Sequence, residues 1–152
     1  MKTMFMETTR IAPERTVAEI QQILASHGAS AILMDFEAMK VSAVSFRYDV
    51  GGQQVPFRLP CRWQAVETML RKSGKRPKSD DTFEAWARRV AWRHILRWVE
   101  SQMALAETGQ VKVHEVFFAY IQTRTGQTVF EMQEQRGFAA LEYNPGPVQE
   151  KR

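Results

Sequence analysis

Three arginines, Arg89, Arg93 and Arg97, recur at i, i+4 and i+8 in an unbroken run from Phe83 to Glu107. A second cationic cluster, Arg71, Lys72, Lys75, Arg76 and Lys78, fills the eight residues 71–78 just before it. Side chains of this type, clustered this closely, make charge-assisted hydrogen bonds to phosphate oxygens. On a helix the three arginines stand about 6 Å apart along one line, and like charges at that spacing cost roughly 0.2–0.5 kcal/mol per pair. The row therefore implies either carboxylates folded against it or an anionic partner. Trp86 lies beside the row as a candidate base-stacking surface, whereas Trp92 and Trp98 sit among apolar neighbours and read as core.

Other chemistry is sparse. His27, His94 and His114 have no ligand-type spacing to one another or to Cys61, so no metal site is expected. The glycines are too dispersed to cradle a phosphate, and no nucleophile elbow, zinc-protease or paired-cysteine motif occurs. Asp35 and Glu37 form a carboxylate pair without a second catalytic partner. The chain reads as non-enzymatic, with no cofactor.

The elements that must position the cations follow from periodicity. Glu7 to Ala12 reads as a first strand stopped by Pro13. A helix from Thr16, with Thr16 and Glu19 as a capping box, carries the stripe Val17, Ile20, Ile23 and Leu24 and ends at Gly28. Ala31 to Phe36 suits a buried strand. Val41 to Val50 alternates apolar with polar residues, and Gly51-Gly52 turns it into a returning strand, Gln54 to Leu59. Pro56 puts that last strand at an edge or beside a bulge. A helix over 62–72 runs into the loop SGKRPKSDD, which has no apolar residue and reads as an exposed basic loop over 73–81.

From Asp81, an expected N-cap with Glu84 three residues on, the long helix extends about 37 Å at 1.5 Å per residue. It has two apolar sectors, one with Trp92, Ile95, Leu96, Val99 and Met103, the other with Phe83, Ala87, Val90, Ala91, Trp98 and Leu105. Two sectors need two partners, and a second copy of the chain is one candidate for covering the second. A fourth helix through Val113, Val116, Phe117, Tyr120 and Ile121 and a short fifth one, capped by Thr128 and Glu131 and stopped at Gly137, complete the helical half. Residues 142–152 have nothing to bury and read as a disordered tail. The expected architecture is a single α+β domain over 1–141: a small antiparallel sheet of three or four strands on helices within 7–72, the basic loop, then a helical part over 82–141 built round one long central helix.

Composition bounds the setting. The chain has 152 residues, one cysteine and a net charge of +4. A lone cysteine excludes an internal disulfide and suits a reducing cytoplasm, and no run reaches the roughly 20 apolar residues of a membrane span. Residues 61–100 carry ten basic and five acidic groups, while the flanking segments are close to balanced; the basic excess is local, as on a phosphate-binding surface.

Two resemblances add expectations. The order of one helix, three strands and a second helix from Glu14 to Lys72 resembles double-stranded RNA-binding domains in topology alone, since Cys61, Arg62 and Trp63 stand where that family carries lysines. TTRIAPERTVAEIQQILASHGASAIL, PFRLP, ARRVAWRHILRWVESQMAL and EVFF resemble a family of small uncharacterised proteins encoded by phages and prophages. That resemblance implies a mobile-element protein of the host cytoplasm, acting either on nucleic acid or, as an anti-defence protein, on a host immune complex or nucleotide signal.

Overall fold

The computed structural model describes residues 2–141; the expected tail over 142–152 lies outside them. The elements are α1 (Pro13–Ser26), β1 (Ala31–Glu37), β2 (Lys40–Val50), β3 (Gln53–Pro60), α2 (Trp63–Lys72), α3 (Phe83–Glu107), α4 (Val113–Val116) and α5 (Val129–Arg136), with 3-10 turns at Phe118–Tyr120 and Ala139–Leu141. This is an α+β fold whose three strands form an antiparallel meander in the order β1-β2-β3.

The sheet begins where alternation begins. Val44 and Phe46 of β2 and Phe57 and Leu59 of β3 turn inward and are almost wholly buried, and Phe46 stacks on Phe57 with ring centroids 5.0 Å apart. Pro56 lies on an edge strand, as its missing amide requires. Ser42 is an extra residue in β2, because Phe36 pairs with Val41 and Asp35 with Ala43. The bulge turns Val41 into the core. Ala38 and Met39 close the β1–β2 hairpin with φ of 48° and 64°, the left-handed pair that a two-residue turn demands of a twisted ribbon.

α3 is the axis of the molecule. Trp92, Leu96, Val99 and Met103 of its first sector are buried to 1% exposure or less. Its second sector is covered by the same chain: α1 and α2 pack along it, Ala87 and Val90 are fully buried, and Trp98 meets Phe117 edge-on at 5.0 Å and Tyr120 at 5.2 Å. Among the described residues the chain itself takes up most of that sector, with Phe83 and Leu105 half-buried.

Local expectations fail where a distant side chain intervenes. Residues 7–12 form no strand. Glu7 closes a turn on Met4, its carboxylate taken by Lys75 at 2.7 Å and its carbonyl by the indole N–H of Trp86 at 2.8 Å, so the segment becomes a strap across α3. α1 starts at Pro13, whose fixed φ suits the first turn; Thr16 is therefore inside the helix and Glu19 is released from capping. Thr82, not Asp81, caps α3, accepting from the Ala85 amide at 3.0 Å. β1 is not buried: Leu33 and Phe36 are more than half exposed. Of the apolar residues of α2, Leu70 is buried but Met69 points outward. The fourth helix stops after one turn, since Phe117 plunges into the core and the chain crosses to β3, where the Gln122 amide donates to the Pro56 carbonyl at 2.8 Å. Thr128 and Glu131 cap α5 reciprocally as read.

Candidate anion-binding cleft

The arginine row on α3 is not an outward-facing phosphate track. Arg89 forks onto Asp81, with Nη1 3.2 Å from Oδ1 and Nη2 closer still to Oδ2. Arg93, 5% exposed, points Nη1 at both Glu19 oxygens at 3.4 Å. Arg97 donates to Glu100 at 2.7 Å. Arg88 joins the set, bonded to Glu84 at 3.0 Å and stacked 4.3 Å over Trp63. Each guanidinium thus has a carboxylate of its own molecule, the first of the two alternatives that the spacing left open.

The basic cluster divides. Arg71 is consumed by Glu67 at 2.7 Å and by the Phe83 ring, 4.2 Å beneath it. Lys75 is spent on Glu7, and that pairing, helped by the Met4 amide, holds the Glu7 carboxyl below the usual range despite burial. Lys72, Arg76 and Lys78 are exposed and make no ion pair or side-chain hydrogen bond among the described residues. The loop's own carboxylates do not reach them: Asp81 is taken by Arg89 and Arg10, and Asp80 is exposed with no ion pair among the described residues.

An open cleft of about 490 Å³ lies between this loop, the N-terminal strap and the first turns of α3. Arg10, Lys75, Arg76, Lys78 and Arg89 line it against two carboxylates, Glu7 and Asp81. Thr3, Thr8 and Thr9 add hydroxyls along the strap side. Asp81 is held low by its hydrogen bond from Arg89, with Arg10 at 3.6 Å adding to the effect, so it stays ionised and keeps Arg89 oriented. Trp86 walls the cleft with its ring, stacked on Phe83 at 6.2 Å, while its N–H is spent on the strap. The arrangement leaves an excess of cations over fixed anions in a concave, partly desolvated place, where an anion gains most.

Of the residues singled out in the sequence, the cleft gathers Lys75, Arg76, Lys78, Trp86 and Arg89. Arg93, Arg97, Arg71 and Lys72 lie outside it. Arg10 and the strap threonines were not foreseen, because 7–12 alternates like a strand and gave no sign of folding over α3. Three other titratable groups singled out in the sequence have structural contacts: Asp35 pairs with Arg58 at 3.0 Å, His94 bonds the Phe5 carbonyl at 2.6 Å, and His27 stands 3.7 Å from Glu107. Among the described residues no three His, Cys, Asp or Glu side chains are grouped to hold a metal ion, and no helix is long and apolar enough to cross a membrane. No family model matches the chain, and comparisons with curated proteins and with solved structures give no match.

Proposed function

We propose that this chain is a non-enzymatic binding protein that holds phosphate groups of nucleic acid in the cleft between the basic loop and the N-terminal strap. The observation that supports it is the presence of Arg76 and Lys78 at the cleft without carboxylate partners, next to Arg10, which shares Asp81 with Arg89. Two unpaired cations and the loosely held Arg10 give a modest, sequence-independent affinity of the kind phosphate contacts supply. The resemblance to phage- and prophage-encoded proteins motivates reading it as an accessory protein of a mobile element.

The size of the cleft favours a second reading. A volume of about 490 Å³ with an indole wall is within the range of small-ligand sites, so a free nucleotide signal is the alternative ligand, as for an anti-defence protein that sequesters one. Fluorescence anisotropy of a labelled single-stranded oligonucleotide, with and without competing nucleoside triphosphate, separates the two. Saturable oligonucleotide binding that is lost in R76E/K78E supports the first. Displacement by equimolar nucleotide supports the second, and absence of binding to either removes the proposal.

A further inference from the structure

The two edges of the sheet are treated differently. β3 is closed by its prolines, Pro56 and Pro60, and by the chain itself at Ile121–Gln122, where Phe57 bridges Ile121. β1 has neither proline nor a basic residue along its seven positions, and among the described residues nothing pairs with its outer side. The bulge that interrupts the β1–β2 ladder belongs to β2, at Ser42, so the outer edge of β1 stays regular. Its core-facing residues are also open: Met34 is 40% and Phe36 62% exposed, because the helical layer stops short of this edge. Its two charges are Asp35, already held by Arg58, and Glu37; a regular edge with five apolar residues in seven is what proteins avoid unless a strand covers it.

We infer that β1 pairs with β1 of a second copy, antiparallel about a two-fold axis at Met34, making one six-stranded sheet. The inner-face side chains are self-complementary in that register, and on the outer face Leu33 lies opposite the second copy's Asp35, whose charge Arg58 already holds. Ile32 of one copy faces Phe36 of the other, so a single apolar row runs from buried Phe46 through Ile32 and the second copy's Phe36 to its Val41. Met34 meets Met34 across the axis, between the two Val44 residues. On the outer face Ala31 of one copy faces Glu37 of the other, and Ala31 is itself opposite Arg47. Arg47 and Glu37 are exposed and make no ion pair among the described residues, and Lys40, beside Glu37, is taken by Glu84 at 3.1 Å. With only alanine between them, Arg47 spans the two strand spacings of about 10 Å to the second copy's Glu37, twice per dimer. No like charges face each other. The long helix supplies none of this seam.

The test is the oligomeric state by sedimentation velocity from low micromolar to sub-millimolar protein, with edge variants. Wild type is expected to reach twice its 17.6 kDa mass, and M34K to remain monomeric, since an edge lysine blocks pairing. Facing residues of an antiparallel pair lie within disulfide reach, so M34C is expected to cross-link under mild oxidation while Q53C, on the other edge, does not. R47E and E37R alone are each expected to weaken the dimer about three- to tenfold and together to restore it. If M34K fails to fold by circular dichroism, L33K on the outer face replaces it. A wild-type monomer throughout the range, a dimer indifferent to the edge lysine, or charge reversals that do not rescue each other would overturn the inference. So would an extended peptide from another protein pairing on β1 while the chain alone stays single.

Discussion

The α3 arginines and the loop cations are equally basic in sequence and opposite in circumstance. Arg89, Arg93 and Arg97 are each held by a carboxylate, and Arg93 is almost wholly buried; Arg76 and Lys78 stand in solvent without one. A cation on a helix at the centre of a fold can be neutralised from any element that packs on it, whereas the exposed loop gives up its Asp81 to Arg89 and Arg10 and leaves Arg76 and Lys78 unpaired. Charge density therefore says where cations are, and packing says which remain available to a ligand.

Variants that treat the two groups alike would break that contrast. The largest expected effect is on stability, from Arg93→Ala: loss of a buried cation whose aliphatic stem is packed and whose partner is half open should cost about 2–3 kcal/mol, lowering Tm by roughly 5–10 °C in thermal unfolding. Oligonucleotide affinity per folded molecule should be unchanged. R76E/K78E inverts the pattern, with stability within about 0.5 kcal/mol of wild type and oligonucleotide affinity down about ten- to thirtyfold by anisotropy.

Acid should act next, on the strap. Glu7 and Asp81 are both depressed in the folded chain, by Lys75 and Arg89 respectively. Their contribution is fully present above the ordinary values of 4.5 and 3.8 and is lost as pH falls through the lower folded ones. The Trp86 indole N–H, bonded to the Glu7 carbonyl, should then lose its protection against exchange, measured by NMR relative to the intrinsic rate at each pH, as pH falls below the ordinary carboxylate values, ahead of Trp92 in the core. The smallest effect is a null one. Burial pushes the Cys61 thiol up to about 12, with Arg88 offsetting only part of it, so native protein should resist alkylation at neutral pH and react once unfolded.

Much of the fold was legible because its signals are local. The stripe of α1, the alternation of β2, the Gly51-Gly52 turn and the uninterrupted length of α3 each depend on neighbours within a few residues. What could not be read depends on distance along the chain. Glu19 reaches Arg93 across 74 positions and Lys75 reaches Glu7 across 68, so neither the neutralised row nor the strap has a pattern in the sequence. β1 misled for the opposite reason: its apolar run is real, but periodicity does not distinguish a buried strand from an exposed sheet edge. The site was half visible, the loop cations by their lack of neighbours, Arg10 and the strap hydroxyls not at all.

The salt dependence of oligonucleotide binding tests the central claim most directly. Plotting log affinity against log salt for wild type and R76E/K78E, three contacts by Arg10, Arg76 and Lys78 predict a wild-type slope of about −2 on single strands, falling by more than half in the variant. A slope that the loop variant leaves unchanged, or that R97E removes instead, would contradict the division of labour between a structural arginine row and a binding loop.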